Sequence, residues 1–292
     1  MEQRKNIQEL EALIALLDDP EISIYREVSK RLKSYGSDIL PYLKEARTHS
    51  FNPLVDSRLH EIIHYLQQQN LYTELRNWYL TEEQDLLKGF ILISKSRYPE
   101  LDEDQLTRQV ERITKDVWLE LNKELTALAK IRILNHIIFR VHEFQGDTTQ
   151  PNAPSNYYLN NVLESRKGNP LSLSILYLTV ARRLGIPLYG INLPKHFVLG
   201  YASEEKRGRE VIINEKKMRF YVNPFRQGQI FSSADISNFL KQMQIKEREH
   251  HFLPCEEITI IRRLTINLIN TYKGMGNTSR EEELRSLYKA LS

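Results

Sequence analysis

The sequence predicts an α+β fold, in which an all-helical N-terminal region precedes a helix packed on a small antiparallel sheet and a C-terminal helical hairpin. Three observations indicate this class. Apolar residues recur at helical spacing through most of the first 145 residues. Short runs of strand-forming residues follow within residues 188–222, and two amphipathic stretches occupy the last 35 or so residues.

The composition is typical of a globular protein and argues against several functional classes. The chain has 292 residues, 41% hydrophobic and 27% charged, with a formal net charge of +3 and one cysteine. Basic residues form no dense block, so we expect no nucleic-acid partner. No apolar run approaches the ~18 residues of a membrane span, and the N-terminus lacks the apolar run of a secretory signal. We therefore expect a cytoplasmic protein with no membrane partner, and the oligomeric state stays open.

Paired amphipathic helices are predicted over residues 1–70. In the helix predicted over residues 54–69, one buried stripe is formed by Val55, Leu59, Ile62, Ile63 and Leu66. Helix pairs of this length, with Asp18-Asp19-Pro20 at a turn, resemble HEAT repeats. We predict a HEAT-like domain over 1–70 and a further helical region over 71–150.

The character of the sequence changes within residues 151–250. A polar, proline-containing loop comes first, and a helix over Pro170–Leu184 follows that is apolar nearly all round and therefore buried. Polar turns then separate short strands, as in an antiparallel meander. The predicted strands are Leu188–Leu193, Phe197–Ala202, Arg209–Asn214 and Met218–Val222. Residues 251–292 are predicted to form a hairpin of the helices Ile258–Tyr272 and Arg280–Leu291.

The start of the helix at Pro170 is a candidate active site. Asn169 suits the N-cap position, and proline suits the first helical position. A papain-type enzyme places its nucleophile at a helix start, where unpaired amides and the helix dipole stabilise a thiolate. A histidine on a neighbouring strand acts as base, and Asp or Asn on the next strand orients it. His196 and Asn223 lie at the corresponding places in the predicted sheet.

Four blocks within residues 156–230 closely resemble, in this order, the SirB-type bacterial transglutaminase-like proteins: residues 156–174 (Asn-Tyr-Tyr-Leu-Asn-Asn-Val-Leu-Glu-Ser-Arg-Lys-Gly-Asn-Pro-Leu-Ser-Leu-Ser), Gly185-Ile-Pro187, Leu193-Pro-Lys-His-Phe197 and Val222-Asn-Pro-Phe225. The resemblance implies a transglutaminase/papain-like core. It places Pro170 where catalytic members have cysteine, His196 at the histidine, and Asn223 where aspartate is usual. We therefore predict a pseudo-enzyme without a cofactor, acting as a protein- or peptide-binding module.

A substitute nucleophile would make the chain a cryptic hydrolase or acyltransferase using His196 and Asn223. At about 100° per residue, Ser172 lies on the far side of the helix from Pro170, whereas Ser174 lies about 40° away but one turn deeper. We favour structural roles for both serines, bonded to a preceding carbonyl or packed. The single cysteine, Cys255, is more typical of a small buried apolar residue.

Residues beside this helix start are candidates for binding. Arg166 and Lys167 directly precede Gly168 and Asn169. This pattern is compatible with an anion bound at the helix start, and equally with two solvated cations. Lys195 directly precedes His196 and is the remaining binding candidate.

The segment His60-Glu61-Ile62-Ile63-His64 matches the zinc motif H-E-x-x-H. The metzincin extension is absent, because Gln67 and Asn70 occupy the positions of its glycine and third histidine. Helical geometry also places the motif away from the apolar stripe, with no evident wall around a metal. We expect an ordinary amphipathic helix and no metal, and we keep a zinc metallohydrolase through His60 and His64 as a third hypothesis.

Overall fold

A computed structural model describes the backbone of residues 2–203, 205–207, 210–212 and 218–292, and the side chains of residues 8–203 and 218–292. The chain divides into two compact units, Met1–Arg76 and Asn77–Ser292. The predicted α+β class is confirmed, with helices towards both ends of the chain and small sheets between them. Among the described helices, none combines the length and apolarity that crossing a bilayer requires.

The first unit is helical, as predicted. Its apolar stripe is buried, since Leu59, Ile62, Ile63 and Leu66 are at most 5% exposed and pack with Leu17, Leu32 and Leu43 from the preceding helices. Residues 70–80 contain neither proline nor glycine, so the helix predicted to end near residue 69 continues to Leu80 and the predicted domain boundary at residue 70 falls within it. The helices are α1 (Glu2–Ala15), α2 (Ile22–Ser34), α3 (Leu40–His49) and α4 (Pro53–Leu80).

Several helices of the second unit begin at a side-chain cap. Asp85, Asp102 and Thr126 each accept a hydrogen bond from the backbone amide three residues on, which satisfies a group that a helix start leaves unpaired. The helices are α5 (Leu86–Lys95), α6 (Glu103–Glu120), α7 (Ala127–Asn135, continued by a π-helical turn His136–Val141), α8 (Leu159–Ser165), α9 (Pro170–Arg183), α10 (Ser233–Gln242), α11 (Glu257–Gly274) and α12 (Thr278–Lys289).

A four-stranded antiparallel sheet forms the β part of the core. The strands of the second unit are β1 (Gln145–Gly146), β2 (Lys167–Gly168), β3 (Leu188–Ile191), β4 (Val198–Ala202), β5 (Glu205–Arg207), β6 (Glu210–Ile212), β7 (Met218–Asn223) and β8 (Gln229–Phe231). The sheet order is β3-β4-β7-β8, with Leu199 opposite Val222 and Tyr221 opposite Phe231.

Three of the four predicted strands therefore belong to this sheet. The fourth, Arg209–Asn214, is described only at residues 210–212, which form β6 and pair with β5, while residues 209, 213 and 214 lie outside the described residues. The sequence analysis missed β8, because three residues are too few for an alternating pattern to stand out.

Different helices pack on the sheet's two faces. α9 packs against β3 and β4. On the other face, Val198 and Tyr221 form a cluster with Ile236 and Leu240 of α10, to which α9 contributes no described residue. Successive side chains of a strand point to opposite faces, which lets β4 contact α9 on one face and the α10 cluster on the other.

Gly89 of α5 tests how tightly this unit is packed. A Cβ there would lie 2.8 Å from the Trp78 ring and 2.9 Å from Ile261, both closer than van der Waals contact. We predict that Gly89→Ala lowers the free energy of unfolding by about 1–2 kcal/mol, because overpacking outweighs the gain of up to ~1 kcal/mol in helix propensity.

Gly274 supplies a matched control for chemical denaturation, since no atom lies within 4 Å of its added Cβ. Gly274→Ala should leave stability unchanged or raise it by less than ~1 kcal/mol. Equal effects of the two substitutions would contradict the packing around Gly89.

Candidate functional site

The backbone amides at the start of α9 are occupied by the chain's own side chains. Asn169 is 2% exposed, and its Oδ1 accepts hydrogen bonds from the amides of Leu171 at 2.8 Å and Ser172 at 2.9 Å. Ser172 Oγ in turn accepts from the Asn169 amide at 3.0 Å, which completes a capping box. Pro170 has no amide hydrogen to offer. The donors that would hold an anion or an oxyanion at this helix start are therefore already bonded.

The Asn169 amide group extends this arrangement into the preceding loop. Its Nδ2 donates to the carbonyl oxygen of Asn156 at 3.0 Å. Asn156 Nδ2 donates to Asp147 Oδ2 at 3.0 Å and to the carbonyl oxygen of Gln150 at 2.8 Å. Hydrogen bonds from Asn156 and the Gln150 amide lower the pKa of Asp147. This chain of bonds fixes the loop at residues 147–156 against the start of α9.

The other candidates beside the helix start have structural contacts. Arg166 adopts a left-handed backbone with φ of 60°, and its guanidinium lies 4.9 Å from the centroid of the Phe144 ring. Gly168 lies against the helix, since a Cβ there would come within 2.7 Å of Ser172 Oγ. These contacts show why glycine is needed at residue 168, and they leave no space between the strand and the helix start.

Both candidate serine hydroxyls are buried and bonded to the helix itself. Ser172 and Ser174 have no exposed surface. Ser172 Oγ contacts both the amide and the carbonyl of Asn169, and Ser174 Oγ donates to the Pro170 carbonyl at 2.6 Å. This geometry matches the structural roles expected for hydroxyls within a helix.

His196 and Asn223 line the same cavity, of about 270 Å³. The turn at residues 193–196 brings His196 to the start of β4, and Asn223 ends β7 beside it. The described lining includes both of these side chains and no residue of α9, so Pro170, Ser172 and Ser174 do not line this cavity. The cavity is lined by Leu193, His196, Val198, Asn223, Arg226, Gln229, Phe231, Asp235, Ile236 and Phe239.

The surroundings of the His196 ring favour its neutral form. The ring lies edge-on to Phe239, with centroids 5.0 Å apart. Burial lowers the pKa of His196, and the positive charges of Arg263 and Arg226 lower it further. Within the part of the chain that the structure describes, no side chain hydrogen-bonds this ring, so neither Asn223 nor a hydroxyl or thiol is engaged with it.

Lys195 and Cys255 lie outside that cavity. Lys195 has a φ of 59° and lines a second, larger cleft next to α11. The Cys255 amide donates to the Gly190 carbonyl at 2.8 Å, which places the cysteine along the edge of β3. Burial raises the pKa of its thiol to about 12, so Cys255 has no thiolate character at neutral pH.

The H-E-x-x-H segment lies on an exposed face of α4. The rings of His60 and His64 have centroids 6.4 Å apart. Glu61 accepts a hydrogen bond from Tyr25 at 2.7 Å and pairs with Lys33 at 3.5 Å. Among the described residues, no group of three His, Cys, Asp or Glu side chains is placed to hold a metal ion.

The capping role of Asn169 can be tested by substitution. We predict that Asn169→Ala lowers the free energy of unfolding by about 2–4 kcal/mol, because it removes the cap of α9 and leaves the buried Asn156 carbonyl without its donor. Chemical denaturation followed by circular dichroism measures the change. Ser174→Ala is the control in the same helix and should change stability by less than ~1 kcal/mol, since its hydroxyl bonds only the preceding turn. A small effect at Asn169 would contradict the network.

The electrostatics of His196 make a second prediction. The pKa of His196, read from the pH dependence of its ring proton resonances, should lie below ~6.5 and rise in Arg226→Gln. Because the folded-state pKa is depressed, the stability contributed by neutral His196 is present above pH ~6.5 and is lost as the pH falls through the folded-state value. An unchanged pKa in Arg226→Gln would contradict the proximity of the two groups.

Known proteins are similar in sequence to the part of the chain that contains α9 and the His196 cavity. Residues 104–265, more than half of the chain, match the profile of the transglutaminase-like superfamily. A UPF0162 protein of Xylella fastidiosa (strain 9a5c) is 28% identical over 203 residues, which cover 67% of this chain and 66% of that protein. A UPF0162 protein of strain Temecula1 is 34% identical over 114 residues, covering 39% and 41% of the two chains.

A eukaryotic protein also matches. F-box only protein 21 of Homo sapiens is 28% identical over 172 residues, which cover 54% of this chain and 24% of the human protein. The chain thus spans between about two fifths and two thirds of the length of the bacterial relatives named above, and about a quarter of the human one. No solved structure matches the chain significantly.

Proposed function

The chain belongs to the transglutaminase-like superfamily, and from this membership we propose that it is a non-catalytic member that binds a protein or peptide in the cavity around His196 and Asn223. One observation carries the proposal. The described lining of this cavity includes an imidazole and two amides, but no serine, threonine, tyrosine, cysteine or lysine. Acyl transfer of the papain type requires such a nucleophile within hydrogen-bond reach of the base.

The one carboxylate of the lining has another role. Asp235 is the third residue of α10, and its Oδ2 accepts hydrogen bonds from the Ser232 amide at 2.8 Å and from the Ser232 hydroxyl at 2.7 Å. These bonds lower the pKa of Asp235 and hold it in a capping box with Ser232, the N-cap of α10. A carboxylate stabilised in this way is a weak nucleophile.

The shape and chemistry of the cavity suit a short polypeptide segment. Its volume is close to the lower limit of about 300 Å³ for ligand pockets, enough for one or two side chains. The apolar floor suits a hydrophobic side chain, and the amides of Asn223 and Gln229 can pair with the amide groups of a peptide backbone. The floor is formed by Leu193, Val198, Phe231, Ile236 and Phe239.

We also infer three further relationships. The order of the blocks around Pro170, His196 and Asn223 supports a place among the SirB-type proteins. The four successive helices of the first unit, with their shared apolar core, support a HEAT-like array. The human relative is about four times as long as its matched segment, which supports a module that also occurs within larger proteins.

Restoring sulfur at the helix start tests the non-catalytic assignment. We predict that Pro170→Cys gains no hydrolysis of peptide thioesters above the wild-type level, because the His196 cavity is lined by α10 and not by α9. A gain in turnover that is lost again in Pro170→Cys/His196→Ala would show that the imidazole reaches the helix start and would contradict this geometry. Turnover by the wild-type chain that is lost in His196→Ala would overturn the proposal.

Binding is tested with random heptapeptides displayed on phage and selected on the wild-type protein. Enriched peptides are synthesised, and their affinities are measured by fluorescence anisotropy. We expect Asn223→Ala and His196→Ala to weaken binding about three- to thirtyfold, as for loss of one or two hydrogen bonds. His60→Ala, which removes an exposed histidine from the first unit, is the control and should have no effect. Absence of any enriched peptide, or equal affinity in all variants, would exclude this cavity as the binding site.

A further inference from the structure

A second cleft lies on the other side of the turn that carries His196. Its volume is about 850 Å³, and it runs between helix α11 and the loop at residues 150–154. Lys195 lies at this cleft, whereas its neighbours Leu193 and His196 line the first cavity. The cleft is lined by Gln150, Pro151, Asn152, Ala153, Pro154, Tyr157, Lys195, Arg263, Asn267, Asn270, Thr271, Gly274 and Met275.

One face of α11 supplies a row of polar groups to this cleft. Arg263, Asn267, Asn270 and Gly274 follow one another at intervals of four, three and four residues, which places them on one side of the helix. The opposite side is buried in the core through Ile261, Leu264, Leu268 and related residues. At 1.5 Å per residue, the row from Arg263 to Gly274 is about 16 Å long, enough for about five residues of extended chain.

The charge of the cleft is positive. Its described lining contains the cations Lys195 and Arg263 but no aspartate or glutamate. Arg263 Nη1 donates to the Leu193 carbonyl at 2.8 Å and to Asn192 Oδ1, and no carboxylate among the described residues pairs with it. Burial lowers the pKa of the Arg263 guanidinium. A partly buried cation without a counter-ion is stabilised by an anionic ligand, most strongly by one that accepts its hydrogen bonds.

The wall of the cleft opposite α11, the loop at residues 150–154, is held in place by hydrogen bonds within the chain. Asp147 Oδ1 accepts hydrogen bonds from the amides of Thr149 and Gln150, both at 3.0 Å, and the Gln150 carbonyl accepts from the Ala153 amide at 3.0 Å. Asn156 ties this loop to Asn169 and hence to α9. A wall fixed in this way reduces the entropy lost when a flexible ligand is ordered.

From these observations we infer that the α11 cleft binds an acidic polypeptide segment in extended form. A glutamate or aspartate carboxylate of the ligand lies at Arg263 and Lys195, and the amides of Asn267 and Asn270 pair with the ligand's main chain. The length of the polar row favours a chain of several residues over a small anion. The site is separate from the His196 cavity and does not depend on the function proposed for it.

The probes are two fluorescein-labelled hexapeptides, Gly-Glu-Gly-Glu-Gly-Glu and its glutamine counterpart, titrated with the full chain by fluorescence anisotropy. We expect the glutamate peptide to bind at least about tenfold more tightly, with an affinity that falls as salt is added. Asn267→Asp places a carboxylate in the cleft while keeping the bonds of Arg263, and should weaken binding of the glutamate peptide about tenfold or more. Lys195→Gln should weaken it about three- to tenfold.

Two controls isolate the cleft. Lys123→Gln makes the same change of charge in an exposed loop that does not line the cleft, and should leave the affinity unchanged. At a pH well above the pKa of His196, where its ring is neutral, His196→Ala should also leave the affinity unchanged, which separates this inference from the proposed function. Unfolding temperatures of all variants establish that each is folded.

Three results would overturn the inference. The first is equal affinity for the glutamate and glutamine peptides. The second is an Asn267→Asp variant that is folded and binds as the wild type does. The third is displacement of the glutamate peptide by inorganic phosphate at concentrations where chloride of the same ionic strength has no effect, which would assign the cleft to a phosphate group instead of a peptide.

Discussion

The hydrogen bonds of the buried Asn169 side chain join the start of α9 to the loop that forms one wall of the α11 cleft. Its oxygen occupies the first free amides of α9, and its nitrogen holds the Asn156 carbonyl. Asn156 in turn fixes Asp147 and Gln150, the latter in the wall of the α11 cleft. A catalytic helix start needs free amides for the developing negative charge of an oxyanion. Here the Asn169 side chain occupies those donors, which supports the prediction that Pro170 stands where catalytic members have a nucleophile.

The described lining of the cavity around the imidazole includes residues of α10 and none of α9. Val198 and Tyr221 point towards α10, and the His196 cavity continues the same surface towards Phe239. α9 packs against β3 and β4 outside this cluster. Because side chains alternate along a strand, a shift of one residue in register would move Val198 and Tyr221 to the opposite face of the sheet. The helix that His196 meets, α10, contributes Phe239 and Ile236 to this cavity and no thiol.

Local signals in the sequence were sufficient for much of the fold and insufficient for the site. Asn169 followed by Pro170 predicted the start of α9, because capping depends on neighbouring residues alone. The position of His196 depends on the turn at Lys195, which has a left-handed backbone. Lysine is not a residue type that predicts this conformation, so nothing in the sequence signals the turn. The α11 cleft joins segments more than 100 residues apart. The one signal in the sequence is the interval of three or four residues between Arg263, Asn267, Asn270 and Gly274. The helix itself is predicted from the apolar residues on its other face.

Arg263 connects the two clefts electrostatically. Its guanidinium holds the Leu193 carbonyl at the turn, lies in the α11 cleft, and contributes to the lowered pKa of His196. An anion bound at Arg263 offsets part of that positive charge, so the pKa of His196 must rise when the cleft is occupied. Linkage requires the reciprocal effect, in which protonation of His196 strengthens anion binding. The coupling is largest near the pKa of His196 and vanishes at high pH, where the ring is neutral in both states. Arg263, which holds the turn at residues 193–196, would thus make ligand binding in the α11 cleft and the protonation of His196 depend on each other.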